Sequence, residues 1–178
     1  SLDISVEELR VALDSIDNSF KYQYGTIDLN DGLATLNVPD GFKFLDAEQS
    51  AYVLTDLWGN PPSETLGLLF PEEMSPFHEN FTYCVEITYS EDGYIEDDDA
   101  KDLDYDDLLE EIQEDIVSQN PERIAQGYDA YELVGWASPP FYDSENKKLH
   151  WAKELKFDGY DVNTLNYDIR VLGRKGYL

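Results

Sequence analysis

Leu149-His150-Trp151-Ala152-Lys153-Glu154-Leu155-Lys156-Phe157 is followed, after a short loop, by Thr164-Leu165-Asn166-Tyr167-Asp168-Ile169-Arg170-Val171-Leu172. In both runs apolar and polar residues alternate. Successive side chains leave a β-strand on opposite sides, so each run reads as a strand with one dry and one wet face. Ala130-Tyr131-Glu132-Leu133-Val134-Gly135-Trp136-Ala137-Ser138 reads as a third strand just upstream. The three predict consecutive antiparallel neighbours forming the middle of a sheet. Leu165, Tyr167, Ile169 and Val171 are expected to pack on helices. His150, Glu154, Asn166, Asp168 and Arg170 are expected to share the opposite face. The stretch from Ser138 to Lys148 contains Pro139-Pro140 and Asp143-Ser144-Glu145-Asn146, all turn formers. It reads as a loop longer than a tight hairpin needs, the kind that carries binding residues on a rigid scaffold.

Working outward, Ser5 and Glu8 form a capping box for a helix over 6–18, with Val6, Leu9, Leu13 and Ile16 on one stripe. Ile27–Leu29 and Leu33–Val38 flank Asn30-Asp31-Gly32 as a hairpin with a three-residue loop. Asp46 caps a second helix, over 47–58, and Gly59 ends it. Thr65–Phe70 reads as a buried strand. Phe81, Tyr83, Val85, Ile87 and Tyr89 form the dry side of another, with Cys84 on its polar side. Asp104 caps the longest helix, with Tyr105, Leu108, Leu109, Ile112 and Ile116 on one face. Asn120-Pro121 reads as a restart of that helix and Gly127 as its end. The pattern is an N-terminal helix over 1–19 followed by one α+β domain over 20–178. Its sheet is mainly antiparallel, with helices on one or both faces. The closing Gly173-Arg174-Lys175-Gly176-Tyr177-Leu178 reads as a hairpin turn entering a further strand.

The chain has 178 residues, 42% of them apolar, enough for a substantial core. It carries 39 acidic residues against 12 basic ones, a formal net charge of -27. That excludes ordinary nucleic-acid binding, which draws its affinity from Lys and Arg on phosphates. It also excludes docking on an anionic membrane surface. Any charged partner should be cationic. The charge is uneven. Between Glu91 and Asp115 stand fourteen acidic residues and one lysine, whereas Lys147–Lys175 holds seven of the twelve basic residues. The lone Cys84 excludes an intramolecular disulfide. No signal peptide and no apolar run of membrane-spanning length is present.

Several segments carry a resemblance in combination. They include Ala34-Thr35-Leu36-Asn37-Val38-Pro39-Asp40-Gly41-Phe42, Asp56-Leu57-Trp58-Gly59-Asn60-Pro61-Pro62 and Leu66-Gly67-Leu68-Leu69-Phe70-Pro71. Others are Tyr105-Asp106-Asp107-Leu108-Leu109, Leu133-Val134-Gly135-Trp136-Ala137, Trp151-Ala152-Lys153-Glu154-Leu155 and the run from Thr164 to Gly173. From about Gly25 onward the chain resembles an uncharacterised bacterial family, domain of unknown function 2167, described as membrane-anchored. The resemblance implies an extracytoplasmic domain, periplasmic or at the cell surface, cut before a C-terminal membrane anchor. The family has no established activity, so no catalytic residue is carried over. More loosely, the order of hairpin, helix and antiparallel sheet is similar to the PsbP/Mog1 type of sandwich, an analogy of fold alone.

Candidate chemistry is sparse. Asp102-x-Asp104-x-Asp106 begins like a calcium loop but has Asp107 and Gln113 where glycine and glutamate are required. Its carboxylates serve equally as a helix cap. Asp97, Asp98 and Asp99 are the remaining metal candidates. His78, Cys84 and His150 lack zinc-ligand spacing. Cys84 and His150 form a conceivable nucleophilic pair if their strands adjoin, with inert packing as the plainer role. Glu154 and Asp168, with His150 and Arg170 beside them, are an acid/base candidate for a hydrolase acting on envelope material. The same residues make an ordinary ion-pair lattice on a wet sheet. Trp136, Phe141, Tyr142 and Trp151 are candidates to line a binding groove beside the long loop, with core packing as the alternative. No nucleotide, dinucleotide, zinc-protease or serine-hydrolase motif is present, so no cofactor is implied. The leading expectation is a non-enzymatic domain that binds a protein or envelope ligand, with a membrane involved only through segments this chain does not contain.

Overall fold

The computed structural model describes residues 5–91, 104–173 and 175–178. The protein is an α+β fold, mostly sheet, with its antiparallel strands in three sheets. It divides into two compact units, Ser1–Thr88 and Tyr89–Leu178.

In the first unit, helix α1 (Val6–Asp17) has the expected capping box, with Glu8 N–H donating to Ser5 Oγ at 3.2 Å and Ser5 N–H to Glu8 Oε2 at 2.9 Å. None of its residues is buried. Strands β1 (Thr26–Leu29) and β2 (Ala34–Asn37) pair as the expected hairpin. Leu29 pairs with Ala34, leaving a four-residue turn rather than three, in which Asn30 and Asp31 both take positive φ. Strand β3 (Phe42–Asp46) runs into helix α2 (Ala47–Ala51), capped by the Asp46 carboxylate on Gln49 N–H. The helix then widens into a π-helical segment, Tyr52–Leu57, with Trp58 N–H bonded to Val53 C=O.

Strands β4 (Gly67–Pro71) and β5 (Val85–Ile87) complete a sheet of order β3-β4-β5. Every residue of β4 is buried, because the strand is covered on both sides. Leu68 and Phe70 pack with Leu45, Val53 and Leu54, whereas Leu69 packs with Phe44 and Leu29 under the hairpin. Strand β5 is shorter than its pattern suggested. Tyr83 and Val85 are exposed, and Cys84 turns inward against the cluster around Phe70. The apolar phase of this segment is thus reversed over Tyr83–Val85, with the cysteine and not its neighbours on the dry side.

In the second unit, helix α3 (Tyr105–Ala125) starts on Asp104, whose Oδ1 accepts from Asp106 and Asp107 N–H. It runs straight through Pro121. Asn120 is therefore not a second cap. Its amide clasps the backbone of Tyr131, donating to C=O at 2.9 Å and accepting from N–H at 3.2 Å. Strands β6 (Tyr131–Asp143), β7 (Lys148–Phe157) and β8 (Thr164–Val171) form an antiparallel sheet in that order, as expected. Leu109, Ile112 and Ile116 of α3 pack on Leu133, Leu155, Tyr131 and Phe157.

The expected long loop is largely strand. β6 continues through Pro139 and Pro140 to Asp143, and register shifts accommodate its surplus residues against β7. Proline survives in a strand where a bulge frees the backbone from the ladder. Only residues 144–147 connect β6 to β7. The turn is held by Asp143, which accepts from Asn146 Nδ2 at 2.7 Å and from Glu145 and Asn146 N–H. The Asn146 side-chain bond, and then its backbone bond, hold the Asp143 carboxyl below its ordinary pKa.

Candidate functional site

The sheet of the second unit carries Glu154, Asp168, His150, Arg170 and the four aromatic candidates Trp136, Phe141, Tyr142 and Trp151. Pairing register decides which of them meet. Residues directly opposite in an antiparallel ladder share a face. Trp151 lies opposite Asp168, Lys153 opposite Asn166 and Trp136, Leu149 opposite Arg170 and Tyr142, and Leu155 opposite Leu133. These make one face, whose β6 end is covered by α3. On the other face His150 lies opposite Ile169 and Phe141, Ala152 opposite Tyr167 and Ser138, and Glu154 opposite Leu165.

This register overturns the expected constellation. Glu154 and Asp168 are on opposite sides of the sheet, and so are His150 and Arg170. Leu165, Tyr167, Ile169 and Val171 do not face a core. They are 65%, 62%, 51% and 40% exposed, whereas Asp168 and Arg170 are partly covered. Alternation within β8 shows that one side is apolar but carries no information about which side meets the neighbouring strand's tryptophan. A one-residue change of phase exchanges the two faces.

On the helix face, Gln113 Nε2 donates to Leu133 C=O at 2.9 Å, and Trp136 Nε1 donates to Tyr105 C=O at 3.1 Å. Trp136 thus ties the start of α3 to the sheet. Farther along, the Arg170 guanidinium lies between two rings, 4.6 Å from the Trp151 centroid and 4.5 Å from that of Tyr177. Such stacking is favourable because the ring faces are electron-rich. Lys153 pairs with Asp168 at 3.2 Å. Trp151 is buried, and its Nε1 meets no acceptor among the described residues. Tyr142 joins this face, while Phe141 lies on the other, so the four aromatic candidates do not line one groove.

On the opposite face the polar groups are mutually satisfied. Asn163 Nδ2 donates to Glu154 Oε1 at 2.7 Å, and Lys156 pairs with Glu132 at 3.3 Å. The His150 ring tilts against Phe141 with centroids 6.4 Å apart. What remains is an exposed apolar surface made by Phe141, Leu165, Tyr167, Ile169 and Val171, with Phe141 itself 64% exposed. Sequence reasoning named Phe141 but placed the β8 residues indoors. The signal that would have found them is the identity of their cross-strand partners, which no single strand encodes.

Cys84 belongs to the first unit and His150 to the second. Burial, and then Glu86, push the Cys84 thiol from its ordinary 9.0 up to about 11. At neutral pH it is a protonated thiol and a poor nucleophile. Alkylation with iodoacetamide at pH 8 should therefore be at least about tenfold slower in the folded protein than in urea. Equal rates would refute the burial. The linkage has a definite sign. Between the unfolded thiol pKa and about 11 the folded state binds the extra proton. The stability this group contributes is therefore full below that window and lost as pH rises through it.

His78 Nδ1 accepts from Asn80 N–H at 3.1 Å, a local turn bond. Among the described residues no group of three or more His, Cys, Asp or Glu is placed to hold a metal ion. Asp97, Asp98 and Asp99 lie outside the described residues. Among those described, no helix is long and apolar enough to cross a membrane.

The protein is thus of the α+β class, and the sheet of its second unit carries helix α3 on one face. The chain belongs to the family described as protein of unknown function (DUF2167), whose model matches residues 21–178. No curated protein and no solved structure matches it.

Proposed function

We propose that this chain is a non-enzymatic binding domain that presents the bare face of the β6-β7-β8 sheet to a partner protein. One observation carries the reading. Four large apolar side chains, Leu165, Tyr167, Ile169 and Val171, stand exposed in a row along β8, and Phe141 is exposed on the same face across His150 of β7. Contiguous apolar patches on a folded surface mark interaction sites. The partner surface should be apolar and neutral or basic, because a net charge of -27 repels an acidic one. The hydrolase alternative loses its geometry with Glu154 and Asp168 on opposite sides of the sheet. The placement of the domain outside the cytoplasm of a bacterium, on a membrane anchor, rests on the sequence resemblance described above.

Photoreactive residues in place of Phe141 and Leu165, introduced into the protein in its native cells, test the reading. Both positions should yield the same discrete crosslinked species, which Phe141→Ser should reduce when the probe stands at 165. A probe at exposed Glu145 should yield none. No product at either position, or the same products at Glu145, would sink the proposal.

A further inference from the structure

The apolar row on β8 has a length, a hollow beside it and a charge gradient along it, and together these describe what fits there. Leu165, Tyr167, Ile169 and Val171 occupy alternate positions of one strand, so the row runs about 20 Å. Beside it the middle of the face is low. Ala152 is buried between Tyr167 and Ser138, and Gly135 is the next residue of β6 on this side. On the other side of the same sheet a single helix covers the face. Leu109, Ile112 and Ile116 of α3, at i, i+3 and i+7, sit on Leu133 and Leu155. The two ends of the β8 row differ in charge. Antiparallel pairing puts the β7–β8 loop at the Leu165 end and the β6–β7 turn at the Val171 end. Asp158 and Asp161 of the loop are exposed, and residues 158–163 contain no lysine or arginine. At the turn, Lys147 and Lys148 offset Asp143 and Glu145, so that end is neutral.

We infer that the partner meets this face with one amphipathic helix laid along β8, carrying cationic side chains at the end that lies over Asp158 and Asp161. The inference rests on the binding reading above and names the partner's chemistry. A row of about 20 Å matches a helix of about 14 residues, or four turns. Apolar residues at i, i+3 or i+4, and i+7 of that helix meet Leu165, Tyr167 and Ile169 in turn, the spacing by which helices anchor on apolar surfaces. A helix satisfies its own backbone groups, whereas a partner strand laid on a sheet face leaves its N–H and C=O groups unpaired. Lysine or arginine on the end turn then meets the two loop carboxylates, while the neutral end makes no such demand. The partner therefore has one greasy stripe and one basic end.

Fluorescence anisotropy of labelled synthetic helices added to the full chain tests this. The probe is a blocked peptide of about 18 residues with one leucine stripe and a lysine cluster in one end turn. Its counterpart has glutamates in place of those lysines. The lysine peptide should bind at least about tenfold more tightly. Asp158→Lys with Asp161→Lys should invert that order. Glu110→Lys with Glu111→Lys, at exposed positions of α3, makes the same change in net charge and should keep it. Tyr167→Lys should weaken the lysine peptide at least about tenfold, with circular dichroism showing the fold of each variant unchanged. Equal affinities of the two peptides, an order that the loop variant leaves in place or that the α3 variant also inverts, or binding indifferent to Tyr167→Lys would each overturn the helix. A crosslinked species of twice 20.4 kDa would name a second copy as the occupant and overturn it too. Where discrete crosslinks from positions 141 and 165 accompany such a result, the binding reading stands without the helix. Where no crosslink forms, the reading falls and this inference with it.

Discussion

Gly67→Ala is expected to destabilise the first unit by about 3 kcal/mol or more, an effect of overpacking and backbone strain together. A Cβ at this position would stand 2.3 Å from two atoms of the Phe44 ring and 2.6 Å from Leu45 C=O. The ring has nowhere to go, because Phe44 is 1% exposed and wedged with Leu29 and Leu69. The carbonyl belongs to a ladder strand and is equally fixed. The backbone at Gly67 adds a φ of +153°, which side-chain-bearing residues rarely adopt. The cause is local: β4 begins at Gly67, opposite Asp46, where the chain turns into α2. A urea melt measures the loss. Gly135→Ala is the control, because a Cβ there meets nothing within 4 Å. A Gly67→Ala loss under about 1 kcal/mol, or equal losses in the two variants, would show that the β3–β4 contact is looser than described.

The second large effect is expected from Phe70→Ala, at about 3–5 kcal/mol. Phe70 is fully buried and is the hub of an aromatic cluster. Tyr22 and Trp58 meet its ring edge-on at 6.3 and 6.4 Å between centroids, and Phe81 tilts against it at 6.1 Å. These rings come from the segment before β1, from the end of the π-helical segment and from the approach to β5. Truncating Phe70 therefore leaves a cavity bordered by three rigid rings that cannot close it. Phe70→Leu, which keeps most of the volume, should cost less than half as much. Hydrogen exchange should then show amides of β3 and β4 losing protection in the alanine variant. Unchanged protection would mean that the cluster is not what holds this sheet.

Much of the secondary structure was legible because it is written locally. Ser5, Asp46 and Asp104 each cap a helix by side-chain bonds to nearby N–H groups, a relation fixed by sequence spacing. The strands of the β6-β7-β8 sheet announce themselves by alternation. What alternation could not supply was pairing. Pro139-Pro140 read as a loop because proline interrupts a ladder, yet register shifts in β6 absorb them. Asn120-Pro121 carried a start signal, yet the helix was already running and the Asn amide was recruited by Tyr131. The expected site failed for the same reason. Glu154 and Asp168 each sit on the polar side of their own strand, and the register turns those sides in opposite directions. The reversed phase around Cys84 is a smaller case, where aromatic packing on Phe70 outweighed a short run of alternation.

One consequence follows from the orientation of β8. In most domains, greasy positions are the intolerant ones and polar positions drift freely. Here the rule should be inverted along a single strand. Leu165, Tyr167 and Ile169 contribute little to holding the isolated chain together, whereas Asp168 and Arg170 brace Lys153 and Trp151. Selection on the first set would then act through company kept outside the molecule, and on the second through its own integrity.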